Sequence, residues 1–80
     1  MGELRTTLTA PPGGVLTDEV GVITGELELA TSCEQGAVRV RIRYSGAEEW
    51  YRLSAADCEL HDPRDHEPLH ACLAAVLNRP

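Results

Sequence analysis

Hydrophobic and polar residues alternate most regularly between Ala37 and Ser54, AVRVRIRYSGAEEWYRLS. Val38, Val40, Ile42 and Tyr44 interleave with Arg39, Arg41 and Arg43, the period of two that a strand with one buried face produces. Ser45-Gly46-Ala47-Glu48 offers glycine at the first central position of a two-residue type II′ turn. With Gly46 and Ala47 as the loop, the hairpin pairs Tyr44 with Glu49, Ile42 with Tyr51 and Val40 with Leu53. Tyr51 and Leu53 then join the buried face, while Trp50 and Arg52 lie on the outer one beside Arg43. A slip of one residue would bury Arg52 and expose Leu53, so pattern and turn agree on one register.

Val20 to Thr31, VGVITGELELAT, gives the second strand pattern. Ile23, Leu27 and Leu29 share one face, Glu26 and Glu28 the other, and Gly25 marks a bend or bulge. Ser32 to Gly36 supplies turn chemistry. Taking Cys33–Gly36 as a four-residue loop sets Glu28 opposite Arg41 and Glu26 opposite Arg43. Leu27 then faces Ile42 and Leu29 faces Val40. Opposite-charge cross-strand pairs of this kind contribute roughly 0.2–1 kcal/mol each.

A period near 3.6 replaces the alternation after Asp65, which is a good N-cap, with Glu67 and Pro68 suited to the first turn. Leu69, Cys72, Leu73, Val76 and Leu77 form one stripe that must land on the sheet, and Asn78-Arg79-Pro80 ends the helix. Between hairpin and helix, Ser54–Leu60 predicts one helical turn capped by Ser54, with Asp57 at the capping-box position. At the other end, Leu4–Thr9 is weakly strand-like and stops at Ala10-Pro11-Pro12-Gly13-Gly14. Residues 1–18 therefore read as a mobile arm or an edge strand plus a loop. The sum is a single α+β domain over residues 1–80: an antiparallel β-meander of three or four strands with one C-terminal α-helix packed on one face.

Composition narrows the function classes. The 80 residues include no Phe and one Trp, so the core is aliphatic. A chain this short buries only ~60–65% of its unfolded surface, and an aliphatic core leaves little room for an enclosed cavity, which weighs against an enzyme. The net charge is −6 and every base is Arg, a balance that repels nucleic acid and anionic lipid overall. No basic start followed by an apolar stretch reads as a signal peptide, and no run approaches the ~20 apolar residues of a membrane span. Three cysteines do not pair into a disulfide framework, so a cytoplasmic protein with reduced thiols is expected.

Two constellations could carry chemistry. Cys58-x2-His61 has knuckle spacing and His66 and His70 lie one helical turn apart, which makes Cys58, His61, His66 and His70 candidate zinc ligands. The C-x2-C knuckle is absent, and the four residues from Asp62 to Asp65 include Pro63 and leave little chain to wrap an ion. The expectation is no cofactor and no metal, with Cys72 in the core, Cys58 half-buried and the histidines at the surface. Cys58 beside His61 or His66 matches a thiol nucleophile by proximity alone. The second constellation is Arg39, Arg41, Arg43, Trp50 and Arg52 on the outer sheet face. Arg and Trp favour interface hot spots, and the net negative charge favours a protein partner over single-stranded nucleic acid. The unblocked Glu48–Ser54 edge adds a route to pairing. The sequence thus leads to a non-catalytic protein-interaction module that self-associates as a homodimer. Its competitors are a zinc-stabilised module and a nucleic-acid binder.

Overall fold

The computed structural model describes residues 2–78. Seven strands precede a single helix: β1 (Gly2–Thr9), β2 (Val15–Thr17), β3 (Gly21–Ile23), β4 (Glu26–Glu34), β5 (Ala37–Tyr44), β6 (Tyr51–Arg52), β7 (Cys58–Glu59) and α1 (His66–Leu77). The principal sheet runs β1-β4-β5-β6, with β7 also on β5, and β2-β3 form a separate hairpin. All pairings are antiparallel. This is the α+β class with one C-terminal helix that the sequence predicts, with more strands because β6 and β7 are two-residue pieces and β1 is fully paired.

The period-two pattern places the core. Leu27, Leu29, Val38, Val40 and Ile42 from β4 and β5 are at most 1% exposed, and Leu8 of β1 joins them. The first eighteen residues hold β1 and β2, with β1 in register with β4 along its whole length. Gly25, at φ +94°, lies with Thr24 between β3 and β4, so the Val20–Thr31 pattern is two strands with a left-handed break.

The β4–β5 register differs from the expected one by two residues. Leu29 faces Ile42 and Glu28 faces Arg43, whereas the four-residue loop would have set Leu29 against Val40 and Glu28 against Arg41. The loop is only Gln35-Gly36, both with positive φ (53° and 83°), the type I′ geometry whose twist suits a hairpin. Ser32, Cys33 and Glu34 therefore continue the strand. A shift of two leaves every side chain on its expected face.

The next hairpin keeps its expected register at Ile42–Tyr51, and Leu53 N–H donates to the Val40 carbonyl at 3.0 Å. Its turn lies one residue earlier than expected. Ala47 N–H donates to the Tyr44 carbonyl, which puts Gly46 (φ +82°) third in the turn, not second. The 3-10 turn at Ser54–Ala56 forms without the expected Ser54 cap. Asp57 accepts from Val40 N–H and pairs with Arg52 instead.

The largest correction concerns the helix face. Cys72 is exposed and Val76 is 55% exposed, while His66 and His70 are buried. Leu69, Leu73, Ala74 and Leu77 pack on the core beside those histidines. The buried stripe is thus rotated by roughly 60° from the purely apolar one, at about 100° per residue. Asn78 follows the helix, and the expected stop at Arg79-Pro80 lies outside the described residues. Substituting Leu29→Ala should therefore lower stability by about 2–5 kcal/mol, while Val76→Ala should shift it by no more than ~0.5 kcal/mol. Urea unfolding of the two variants checks this; a severe loss from Val76→Ala would restore the apolar stripe.

Candidate functional site

The outer face of the principal sheet gathers the candidate residues by strand alternation. Side chains of Arg39, Arg41 and Arg43 leave β5 on this face, Glu28 and Ala30 leave β4, and Glu3 and Arg5 leave β1. Register puts Arg5, Ala30, Arg41 and Arg52 in one row across the sheet. Ala30 is 1% exposed although it points away from the helix. Trp50 covers it. The Arg5, Arg41 and Arg43 guanidinium carbons lie 5.4, 5.0 and 4.5 Å from the centre of an indole ring, within cation–π range.

Carboxylates complete this array. Glu3 bonds Arg5 at 2.7 Å and Arg41 at 2.9 Å, and Glu28 bonds Arg43 at 2.6 Å. The hydrogen bond from Arg5, with its charge and that of Arg41, holds the Glu3 carboxyl below its ordinary value. Arg43 also donates to the Ala47 carbonyl and so ties the hairpin turn to the face. Arg52 pairs with Asp57 at the margin. Arg39 is exposed and has no ion pair among the described residues. Five of the six Arg among the described residues stand on this face. Arg5 is the member that sequence reasoning missed, because only the β1–β4 pairing brings it beside Arg41.

The expected pairing edge is closed. Asp18 N–H donates to the Arg52 carbonyl, Arg52 N–H donates to the Glu19 carboxylate, and Ser54 N–H donates to the Asp18 carboxylate. The β2–β3 turn thus uses the outward backbone of β6. No sequence pattern pointed to this cap, since Asp18 and Glu19 are more than thirty residues away.

The zinc candidates do not converge. Among the described residues no three His, Cys, Asp or Glu side chains could hold a metal ion. Cys58 pairs with Val38 on β7, and His61 is exposed. His66 and His70 instead point into the core, where Thr31 is wholly buried. Thr31 Oγ1 lies 2.8 Å from His66 Nε2 and 2.7 Å from His70 Nδ1, and His70 Nε2 lies 2.7 Å from Thr6 Oγ1.

Two hydrogen-bond directions satisfy this chain with both rings neutral. In one, His66 Nε2–H donates to Thr31, Thr31 to His70 Nδ1, and His70 Nε2–H to Thr6. In the other every donor reverses. One added proton on His70 is also accommodated, since both its N–H groups donate and Thr31 turns toward His66.

An apolar cleft of about 490 Å³ opens between β2, the Ser54–Ala56 turn and the C-terminal half of α1, lined by Val15, Leu16, Val40, Leu53, Leu73 and Leu77. Its polar groups are committed elsewhere: Thr17 donates to the Gly21 carbonyl, and the Asp18 carboxylate holds Ser54 N–H. The aliphatic composition predicts little cavity volume, but the cleft arises where two distant segments meet without closing over the core. Among the described residues no helix is long and apolar enough to cross a membrane.

Burial, with the neighbouring His66, lowers the His70 pKa below its ordinary 6.5. The folded state then binds fewer protons than the unfolded chain between the two values. This stability is complete above about pH 6.5 and is lost as pH falls through the lowered folded value. His70→Gln should flatten the decline in melting temperature over that acid range. At neutral pH, Thr31→Val should cost about 1–3 kcal/mol despite its similar size, because the ring nitrogens lose a buried partner. Thermal melts across pH, and urea unfolding of Thr31→Val, test the two expectations. Comparison with protein-family models, curated proteins and solved structures finds no match for this chain.

Proposed function

We propose that the protein is a non-catalytic, cytoplasmic protein-interaction module that self-associates and presents its Arg/Trp sheet face to an acidic protein segment. The observation that carries the reading is the segregation of charge. Five of the six Arg among the described residues share one face in a chain of net charge −6, and three of them lie over the single Trp. The array is held in place before any partner arrives, so little side-chain entropy remains to be lost on binding. Exposed Arg39 and Arg52 supply cations at its margin for an incoming carboxylate. A protein segment fits better than a single-stranded nucleic acid. Three guanidinium groups already lie within cation–π range of the indole, and the net negative charge opposes a polyphosphate. Free Cys33, Cys58 and Cys72 suit a reducing compartment.

Trp50 reports on this face directly, since it is the chain's single Trp. Titration with a Glu-rich peptide should change its fluorescence in a salt-sensitive manner, and Arg39→Glu should weaken the apparent affinity about tenfold, equivalent to ~1.4 kcal/mol. A response to a single-stranded oligonucleotide and not to the peptide would replace this reading with the nucleic-acid one.

A further inference from the structure

Strand β1 forms the margin of the principal sheet opposite β6. Its Thr9 N–H turns away from β4 and donates to Asn78 Oδ1 at 3.0 Å. Backbone direction alternates along a strand, so the N–H and carbonyl groups of Glu3, Arg5 and Thr7 face outward as well. Those of Leu4, Thr6 and Leu8 face β4. The strand is eight residues long, holds an unbroken register with β4, and contains no Pro, Lys or bulge to discourage pairing. At the other margin the outward backbone of β6 is taken by Asp18 and Glu19.

We propose that a second copy of this chain adds to β1 in antiparallel fashion about a two-fold axis through Leu4, joining the two sheets into one. This deepens the self-association in the reading above by naming its surface. The register follows from charge and from the end of the strand. An axis at Leu4 sets Glu3 of each copy opposite Arg5 of the other, an opposite-charge pair on the outer face. Both residues direct their backbone outward, so each pair exchanges N–H···O bonds across the axis. On the inner face the two half-buried Leu4 side chains meet at the closely spaced, non-hydrogen-bonded position. An axis at Arg5 would set like charges against each other. Registers shifted toward Thr9 run into Asn78, whereas the Leu4-centred span from Gly2 to Thr6 stays clear of it. The contact is isologous and closes on itself, so it ends at a dimer.

Sedimentation at several concentrations, with circular dichroism to confirm folding, tests this on the full chain. The wild type should dimerise, Glu3→Arg should raise the dissociation constant about tenfold, and Glu3→Arg/Arg5→Glu should bring it back by restoring opposite pairs. Leu4→Cys in a Cys72→Ser background should cross-link under mild oxidation, and Thr9→Cys should not, because only residue 4 meets its own copy. A folded wild type that stays monomeric above ~100 μM, weaker than a specific contact of this kind, overturns the dimer. A dimer indifferent to Glu3→Arg, or a swap that fails to rescue it, overturns the register. If that monomer still binds the Glu-rich peptide, the Arg-face reading stands without the dimer; if neither occurs, both fail.

Discussion

The helix is held to the sheet at a polar point set inside an apolar surface. Thr31, wholly buried on β4, lies within hydrogen-bond distance of both His66 and His70, and Thr6 of β1 reaches the far nitrogen of His70. Hydrophobic packing alone is non-directional and would let α1 roll toward its Leu69–Leu77 apolar stripe. The three hydrogen bonds do not. Leaving either ring buried without partners would cost about as much as several such bonds gain, so one rotation of the helix is selected. Every buried polar side chain among the described residues has a partner, which is the condition for such a network to stabilise.

That rotation shapes the rest of the inner face. With the histidines over Thr31, Leu73 and Leu77 are carried toward Val15, Val40 and Leu53, and the apolar cleft opens where they fall short of β2. Asn78 is brought to Thr9, so the helix end also terminates the free edge of β1. Cys72 and Val76 are left at the surface, where neither contributes to the core.

The outer face is organised by a different constraint. A sheet with a helix on one side leaves its other side in water, and Ala30 gives that side a shallow seat. On that side arginines from β1 and β5 gather at the Trp50 ring. Individually the more exposed of these ion pairs contribute little to stability. Collectively they fix an aromatic and a set of cations in one orientation.

Much of this was legible in the sequence because alternation is local. The faces of β4 and β5, the Ile42–Tyr51 pairing, the helix and the Arg face with Trp50 follow from periods of two and 3.6, which any chain of that pattern must express. A two-residue error in the β4–β5 register survived because such a shift preserves every face; only the backbone angles of Gln35 and Gly36 decide the loop. The helix rotation was hidden for a different reason. Histidine reads as polar until a buried acceptor is known, and Thr31 lies 35 residues from His66. Arg5 beside Arg41, Asp18 and Glu19 on β6, and Asn78 on Thr9 are likewise pairings between distant segments. Periodicity determines which way a side chain points, whereas what it meets there depends on how the chain closes, and that is settled only when the strands and helix have packed.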